Sequence, residues 1–378
     1  MPHIAVIGAG WSGAVVARSL HERGIGAQLF EKSDRIGGHS RFESINGVHY
    51  EPGGPHIFHT SHERVAAFVD RFGLSRPYEH CVLTEVFLPD EDEGRLLSWP
   101  PQVEELRRLP MWPTIERELD LLPPAPTGED FESYVVSMMG PTLFDLFIRE
   151  YTEKQWGRAP SELSSRFAPK RVELRSDGYR RLFRDTWEFF PPEGYNSTIE
   201  AIASCVPVVT GVELRLSDVD DLRTEFDGVV LTGPLDAFVG EDGALEWRGI
   251  RTVAEYLPGV GASETATAAY VVNRPSARVP FTRTVETKHA TGQRVEGTIV
   301  CREYPGAKAR HYPVPTVERT WEKRNDELKD RIRESSPLPI FFTGRLADYV
   351  YINQDQAIER AWACADRVAA RFGVRPAR

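Results

Sequence analysis

The residues best suited to chemistry come early. Gly8-Ala9-Gly10-Trp11-Ser12-Gly13 has the spacing Gly-x-Gly-x-x-Gly, and an acid, Glu31, follows 18 residues after Gly13. This arrangement suits a pyrophosphate. Gly8 permits a tight turn, Gly10 lets backbone approach the phosphates, and Gly13 allows a helix to pack closely on a strand. The free N–H groups and positive dipole end of that helix favour an anion, and Glu31 is placed to accept from ribose hydroxyls. A second glycine pair, Gly37-Gly38, comes directly after. Among the 46 basic residues only seven are Lys, leaving 39 Arg, whose planar forks suit bidentate recognition of phosphate. His56 and His59 are three apart, but no carboxylate or third imidazole is evident beside them, so no metal centre is expected. Cys81, Cys205, Cys301 and Cys364 lie far apart. They offer neither a disulfide framework nor a zinc site.

These groups need elements to hold them. His3–Gly8 is a short apolar run that reads as a buried parallel strand. A helix pattern follows, with Ala14, Val15, Ala17 and Leu20 on one face, and Ala27–Phe30 reads as the next strand. The opening is thus a complete βαβ unit, and its second glycine pair favours FAD over NAD. Pro207–Val209, Gly228–Thr232 and Pro339–Thr343 read as further strands, the last leading into a helix over Gln356–Phe372. The expected fold is α/β: a discontinuous Rossmann-type FAD-binding domain (1–75, 195–236 and 336–378), a helical cap (98–165) and an antiparallel-sheet substrate domain (76–97, 166–194 and 237–335). Helices are expected over Phe131–Met139 and Thr142–Tyr151. Short strands are expected over Glu246–Val253, Ala268–Asn273, Thr282–Lys288 and Gly297–Glu303. Ligand is expected between domains. The 378 residues fit two or three domains, and the net charge of −10 argues against a broad nucleic-acid surface. With no apolar run of membrane-spanning length and an N-terminus that begins as a strand, a cytoplasmic location is expected.

Several segments are more specific. They are Gly54-Pro55-His56-Ile57-Phe58-His59-Thr60, Tyr151-Thr152-Glu153-Lys154-Gln155-Trp156-Gly157, Thr232-Gly233-Pro234-Leu235-Asp236, Val279-Pro280-Phe281-Thr282-Arg283, Glu303-Tyr304-Pro305 and Gly344-Arg345-Leu346-Ala347-Asp348-Tyr349. In this order the chain resembles the UDP-galactopyranose mutase family over almost its whole length. The resemblance implies an isomerase that interconverts pyranose and furanose forms of a nucleotide sugar, in cell-wall or natural-product sugar biosynthesis. Reduced FAD is the active form, and its N5 acts as nucleophile at the anomeric carbon. The alternative is an FAD-dependent oxidase or dehydrogenase of the amine-oxidase-like fold. An amine oxidase would need an apolar cage and no arginines for a diphosphate.

The resemblance also assigns residues. Arg175, Arg283, Arg345 and His59 are the catalytic candidates. Tyr151, Trp156, Tyr179, Asn273, Tyr312, Tyr351 and His80 fall on the substrate. Gly8, Gly10, Gly13, Glu31, Lys32, Gly37, Gly38, His39, His56, Gly344, Arg345, Asn353 and Gln354 fall on the cofactor, and Arg248 and Arg251 match cofactor-side arginines. The polar residues between Tyr151 and Trp156 suit an exposed wall. The implied partners are a nucleotide-sugar substrate, an electron donor such as NAD(P)H or a flavin reductase, and a second copy in a homodimer, with no nucleic acid or membrane. The chain departs from the family in two places. Leu182 stands where a tyrosine touches the diphosphate, with Tyr179 as a candidate substitute. Ile352-Asn353 stands where the family has Tyr-Asp. Both departures leave the sugar open.

Overall fold

His3–Ile7 is buried along its length apart from its first residue, because it occupies the middle of a five-stranded sheet. In the computed structural model, which describes residues 1–89, 91–167 and 172–374, the order is Ile340–Phe342, Gly228–Leu231, His3–Ile7, Gly26–Glu31, Val208–Thr210, all parallel. Residues 375–378, assigned above to the FAD-binding domain, and residues 90 and 168–171, assigned to the sheet domain, lie outside the described residues. Helices Trp11–His21 and Gln354–Arg371 pack on one another, and Tyr195–Ala203 joins them. The sheet is built from three stretches of chain distant in sequence, as the motif order predicted.

Gly13 is where the first turn closes. A Cβ there would sit 1.8 Å from the Gly8 carbonyl oxygen, whereas a Cβ on Gly10 would meet only Gly38 Cα at 3.7 Å. Gly8 itself has φ +101°, a backbone that L side chains rarely adopt. The two outer glycines therefore hold the fold, and Gly10 leaves space above the helix N-terminus.

The second sheet has six strands in the order Trp247–Leu257, Thr298–Pro313, Arg283–Val285, Val271–Asn273, Val82–Val86, Arg95–Trp99. All neighbours are antiparallel except Val82–Val86 with Val271–Asn273. Two strands exceed the short lengths expected, at 11 and 16 residues. They pair with one another at both ends, and register shifts at Arg248–Ile250 absorb the excess residues of the longer strand.

Phe131–Met139 is helical, and Asp130 caps it by accepting from the Ser133 N–H at 2.8 Å. The helix expected over Thr142–Tyr151 starts at Pro141 and continues to Trp156 through one π-type turn, Asp145–Arg149. Arg248 ends it by donating to the Gln155 and Lys154 carbonyls at 2.6 and 2.8 Å, a cation at the negative end of the helix. Among the described residues no helix is long and apolar enough to cross a membrane.

Candidate active site

The parallel sheet ends in a groove of about 590 Å³ along the N-terminus of Trp11–His21. Gly8, Gly10, Glu31, Lys32, Gly37, Gly38, His39, His56, Arg345, Asn353 and Gln354 line it, which brings together nearly all the residues read as cofactor-side. Glu31 is buried. Its carboxylate accepts from the Ala9 N–H and from the N–H and hydroxyl of Ser33, at 2.8–2.9 Å, so it pins the glycine loop to the second strand as well as facing the groove. Gly344 supports the groove from behind: its φ is +99°, and a Cβ there would meet Ser12 Oγ at 2.7 Å. His39 and His311 stack at 4.5 Å. Burial, with the neighbouring cations, pulls the His311 imidazole down to about 4 and lowers that of His39, so both rings are neutral near pH 7. Composition gave no signal for Arg310, which also lines the groove and pairs with Asp236 at 3.1 Å.

A second cavity of about 290 Å³ opens between the six-stranded sheet and the helices. It shares His56, Arg345, Asn353 and Gln354 with the groove, so the two spaces meet at one wall. Arg283 lines the second cavity, its Nε 2.7 Å from Oε2 of the buried Glu303, although the alignment makes no hydrogen bond. Burial would lower the Arg283 guanidinium, but the Glu303 carboxylate and the Tyr151, Tyr312 and Tyr351 hydroxyls together outweigh it and hold the charge. Burial also raises Glu303, with Arg283 opposing. Arg345 donates to the Ile352 carbonyl and lies 5.7 and 5.4 Å from the Tyr312 and Tyr351 ring centres; those rings stack on each other at 5.5 Å. Burial raises the Tyr151 and Tyr312 hydroxyls, which stay protonated donors. Phe131, Phe147 and Trp156 make the far end aromatic. Asn273 reaches Thr84 Oγ1 at 3.4 Å on the sheet side.

His59 and His80 lie toward the shared wall. His59 Nδ1 is 2.7 Å from Asp185, and its ring lies flat on Phe183 at 3.5 Å. Burial, with His59 and Arg283 nearby, pulls His80 down to about 3. Its Nδ1 is buried and has no hydrogen-bond partner.

Some expected residues stand elsewhere. Arg175 is 2 % exposed and turned into its own loop: it pairs with Glu173 at 2.8 Å and donates to the carbonyls of Tyr179, Arg181 and Leu182. Tyr179 does not replace the missing tyrosine. Its hydroxyl donates to the Phe183 carbonyl at 2.9 Å and accepts from Arg181 at 2.7 Å. Arg248 caps a helix and Arg251 lies over Tyr304 at 4.7 Å, so neither faces the groove. The segment between Tyr151 and Trp156 is no exposed wall either. Thr152 and Gln155 are buried, and Lys154 donates to four carbonyls between Arg274 and Phe281 at 2.6–3.1 Å. Sequence reasoning missed Glu303, although it opens a quoted motif, because its role depends on the register that sets it opposite Arg283.

A family model described as UDP-galactopyranose mutase matches residues 146–351, and one described as NAD(P)-binding Rossmann-like domain matches residues 6–72. The chain is 29% identical to a probable UDP-galactopyranose mutase of Klebsiella pneumoniae, covering 96% of this chain and 94% of that protein. It is 26% identical to the dTDP-fucopyranose mutase of Escherichia coli, covering 97% and 98%. A crystal structure of reduced UDP-galactopyranose mutase superposes with a TM-score of 0.76 at 19% identity, covering 98% of this chain and 96% of that one. An (S)-6-hydroxynicotine oxidase of Paenarthrobacter nicotinovorans is 35% identical over only 72 residues, 18% of this chain.

Proposed function

This chain belongs to the UDP-galactopyranose mutase family, and from that premise we propose that it interconverts the pyranose and furanose forms of a nucleotide sugar with FAD as its cofactor. The observation that carries this reading is the wall common to the two cavities. A dinucleotide groove opens, at His56, Arg345, Asn353 and Gln354, onto a cleft that holds two arginines and stacked tyrosines. The residues fit a flavin dinucleotide. The glycine loop leaves open backbone at Gly10, and His56 Nδ1 and Gln354 Oε1 are buried at the junction with no hydrogen-bond partner. When bound and reduced, the flavin supplies an N5 lone pair as nucleophile for the anomeric carbon.

The protein supplies the rest. Arg283 and Arg345 neutralise the diphosphate as it leaves and keep it in place for return. Tyr312 and Tyr351 extend this patch, and Tyr151 and Trp156 wall the nucleotide end. Neutral His80 faces the sugar without adding charge, with His59 beside it. In sequence, an oxidase reading draws on a match over 18% of this chain; beyond that it draws on likeness of fold at 12–13% identity, which carries no activity. The names of the full-length relatives include both a galactose and a fucose enzyme, so membership leaves the sugar open. An oxygen-free assay of dithionite-reduced protein against a panel of nucleotide sugars tests the reading. Furanose product should form with no reductant consumed per turnover, and stoichiometric loss of reductant would replace the mutase with a dehydrogenase.

Two glycine variants separate cofactor from fold. Gly10→Val should keep the native melting profile and lose most bound flavin, seen as a loss of yellow absorbance. Gly13→Ala should lower stability by ~1–3 kcal/mol through overpacking against Gly8. Full flavin in the Gly10 variant would move the cofactor away from this loop.

A further inference from the structure

Two walls of the second cavity belong to different parts of the fold. One is the helix that carries Tyr151, Thr152, Gln155 and Trp156; the other is the six-stranded sheet, which carries Asn273 and Arg283. The strands that end at Asn273 and begin at Arg283 are antiparallel neighbours, joined by a loop over residues 274–282. That loop is bound to the sheet. The Arg274 N–H donates to the Thr282 carbonyl at 2.8 Å, and Arg278 donates to the Glu91 carbonyl at 2.9 Å and lies over the Phe87 ring at 4.6 Å. A bond from this loop to the helix therefore ties one wall to the other.

The helix supplies such bonds from two residues one turn apart. Lys154 Nζ donates to the carbonyls of Arg274, Ser276, Val279 and Phe281 at 2.6–3.1 Å. Glu150 accepts from the Ala277 N–H at 2.7 Å. An ammonium has three donors and no acceptor, so four carbonyls engage it fully, and its charge strengthens each bond. The four carbonyls begin at the residue after Asn273 and end two residues before Arg283. Among the described residues the cavity is lined by Tyr151, Thr152, Gln155 and Trp156, and not by Lys154 between them.

Resting on the mutase reading above, we propose that Lys154 is a positioning residue for the nucleotide: its bonds to the 274–282 loop fix the width of the cleft between Tyr151 and Trp156 on the helix and Asn273 on the sheet, and so set the affinity for the nucleoside diphosphate. The chemical step is spared. Arg283 is held separately by its ladder to Thr298–Pro313 and by Glu303, and Arg345 by the Ile352 carbonyl. A loss of binding that is equal in ground and transition states raises KM and leaves kcat.

The test has two readouts. One is kcat and KM of the reduced, flavin-loaded protein without oxygen, with UDP-galactopyranose and dTDP-fucopyranose as substrates. The other is the Kd of UDP and of dTDP, by calorimetry on the oxidised, flavin-loaded protein. Lys154→Met keeps an unbranched side chain and removes the ammonium. KM and the nucleotide Kd should rise by roughly 10–100-fold, with kcat within about threefold and flavin content unchanged. Glu150→Ala removes the second bond and should shift both constants in the same direction by about threefold. A Lys154→Met protein that melts lower yet keeps the wild-type KM and Kd would overturn the inference, as would a fall in kcat with KM unchanged. If that variant does not fold, Glu150→Ala decides, and unchanged constants there overturn it. Nucleotide binding that weakens as expected, in a protein whose wild type converts neither sugar nor any other nucleotide sugar, would instead overturn the mutase reading and leave the positioning role standing.

Discussion

Admitting air to the dithionite-reduced protein is expected to abolish its turnover of nucleotide sugar, and a second reduction is expected to restore it. Only the reduced flavin has a lone pair at N5 available for attack, so the oxidised form retains binding and loses chemistry. The effect is all-or-none, larger than any single side-chain substitution would give. Reduced nicotinamide should serve to prime the protein without being consumed once per product. Borohydride added during turnover should leave the extracted flavin heavier by one sugar. Equal rates from the oxidised protein would eliminate a nucleophilic flavin and with it the mutase mechanism.

The second large effect belongs to the two arginines that line the second cavity. Arg283→Ala and Arg345→Ala should each lower kcat by 10²–10³-fold, which corresponds to ~3–4 kcal/mol of lost stabilisation for charge on the departing diphosphate. Each needs a control, because each arginine also has a structural partner. Arg283 faces the buried Glu303, and removing one member of such a pair strands the other. The double variant Arg283→Met with Glu303→Gln removes both charges and should melt normally while remaining slow. Arg345 donates to the Ile352 carbonyl, so its variant requires a check of flavin content. Near-normal turnover in well-folded forms of both would place the diphosphate elsewhere.

The dinucleotide half of this molecule was legible because its signals are local. A glycine spacing, a buried run such as His3–Ile7 and an acid at the end of the next strand each act through neighbours in sequence, and the structure assembles them as read. The substrate half was legible mainly as a set of names. Tyr151, Asn273, Arg283, Tyr312, Arg345 and Tyr351 do line one cleft, but nothing local foretold which polar groups would be engaged elsewhere. Arg175 and Tyr179 were both read as facing ligand. Their hydrogen bonds instead close the loop of Tyr179–Phe183 upon itself, an arrangement set by tertiary packing. Lys154 belongs to the polar stretch between Tyr151 and Trp156 that suits an exposed wall. Four converging carbonyls on a loop more than a hundred residues away make a different environment, one that spacing alone does not encode. The long strand pair likewise depends on a partner 41 to 66 residues distant.

The order of strands in the parallel sheet has a consequence for synthesis. His3–Ile7 is made well before one of its two neighbours, Gly228–Leu231, and the helix beside it leans on the later Gln354–Arg371. At about 5–20 residues per second, the interval before residues 340–371 leave the ribosome is on the order of 20–70 s. For the first half or more of that time the edge of His3–Ile7 lacks its partner Gly228–Leu231, and for all of it the helix with Ala14, Val15 and Leu20 lacks the cover of Gln354–Arg371. The nascent chain, rather than the finished enzyme, is the form most open to aggregation. A slow supply of the C-terminal third would lengthen its dependence on chaperones without altering a single contact in the native state.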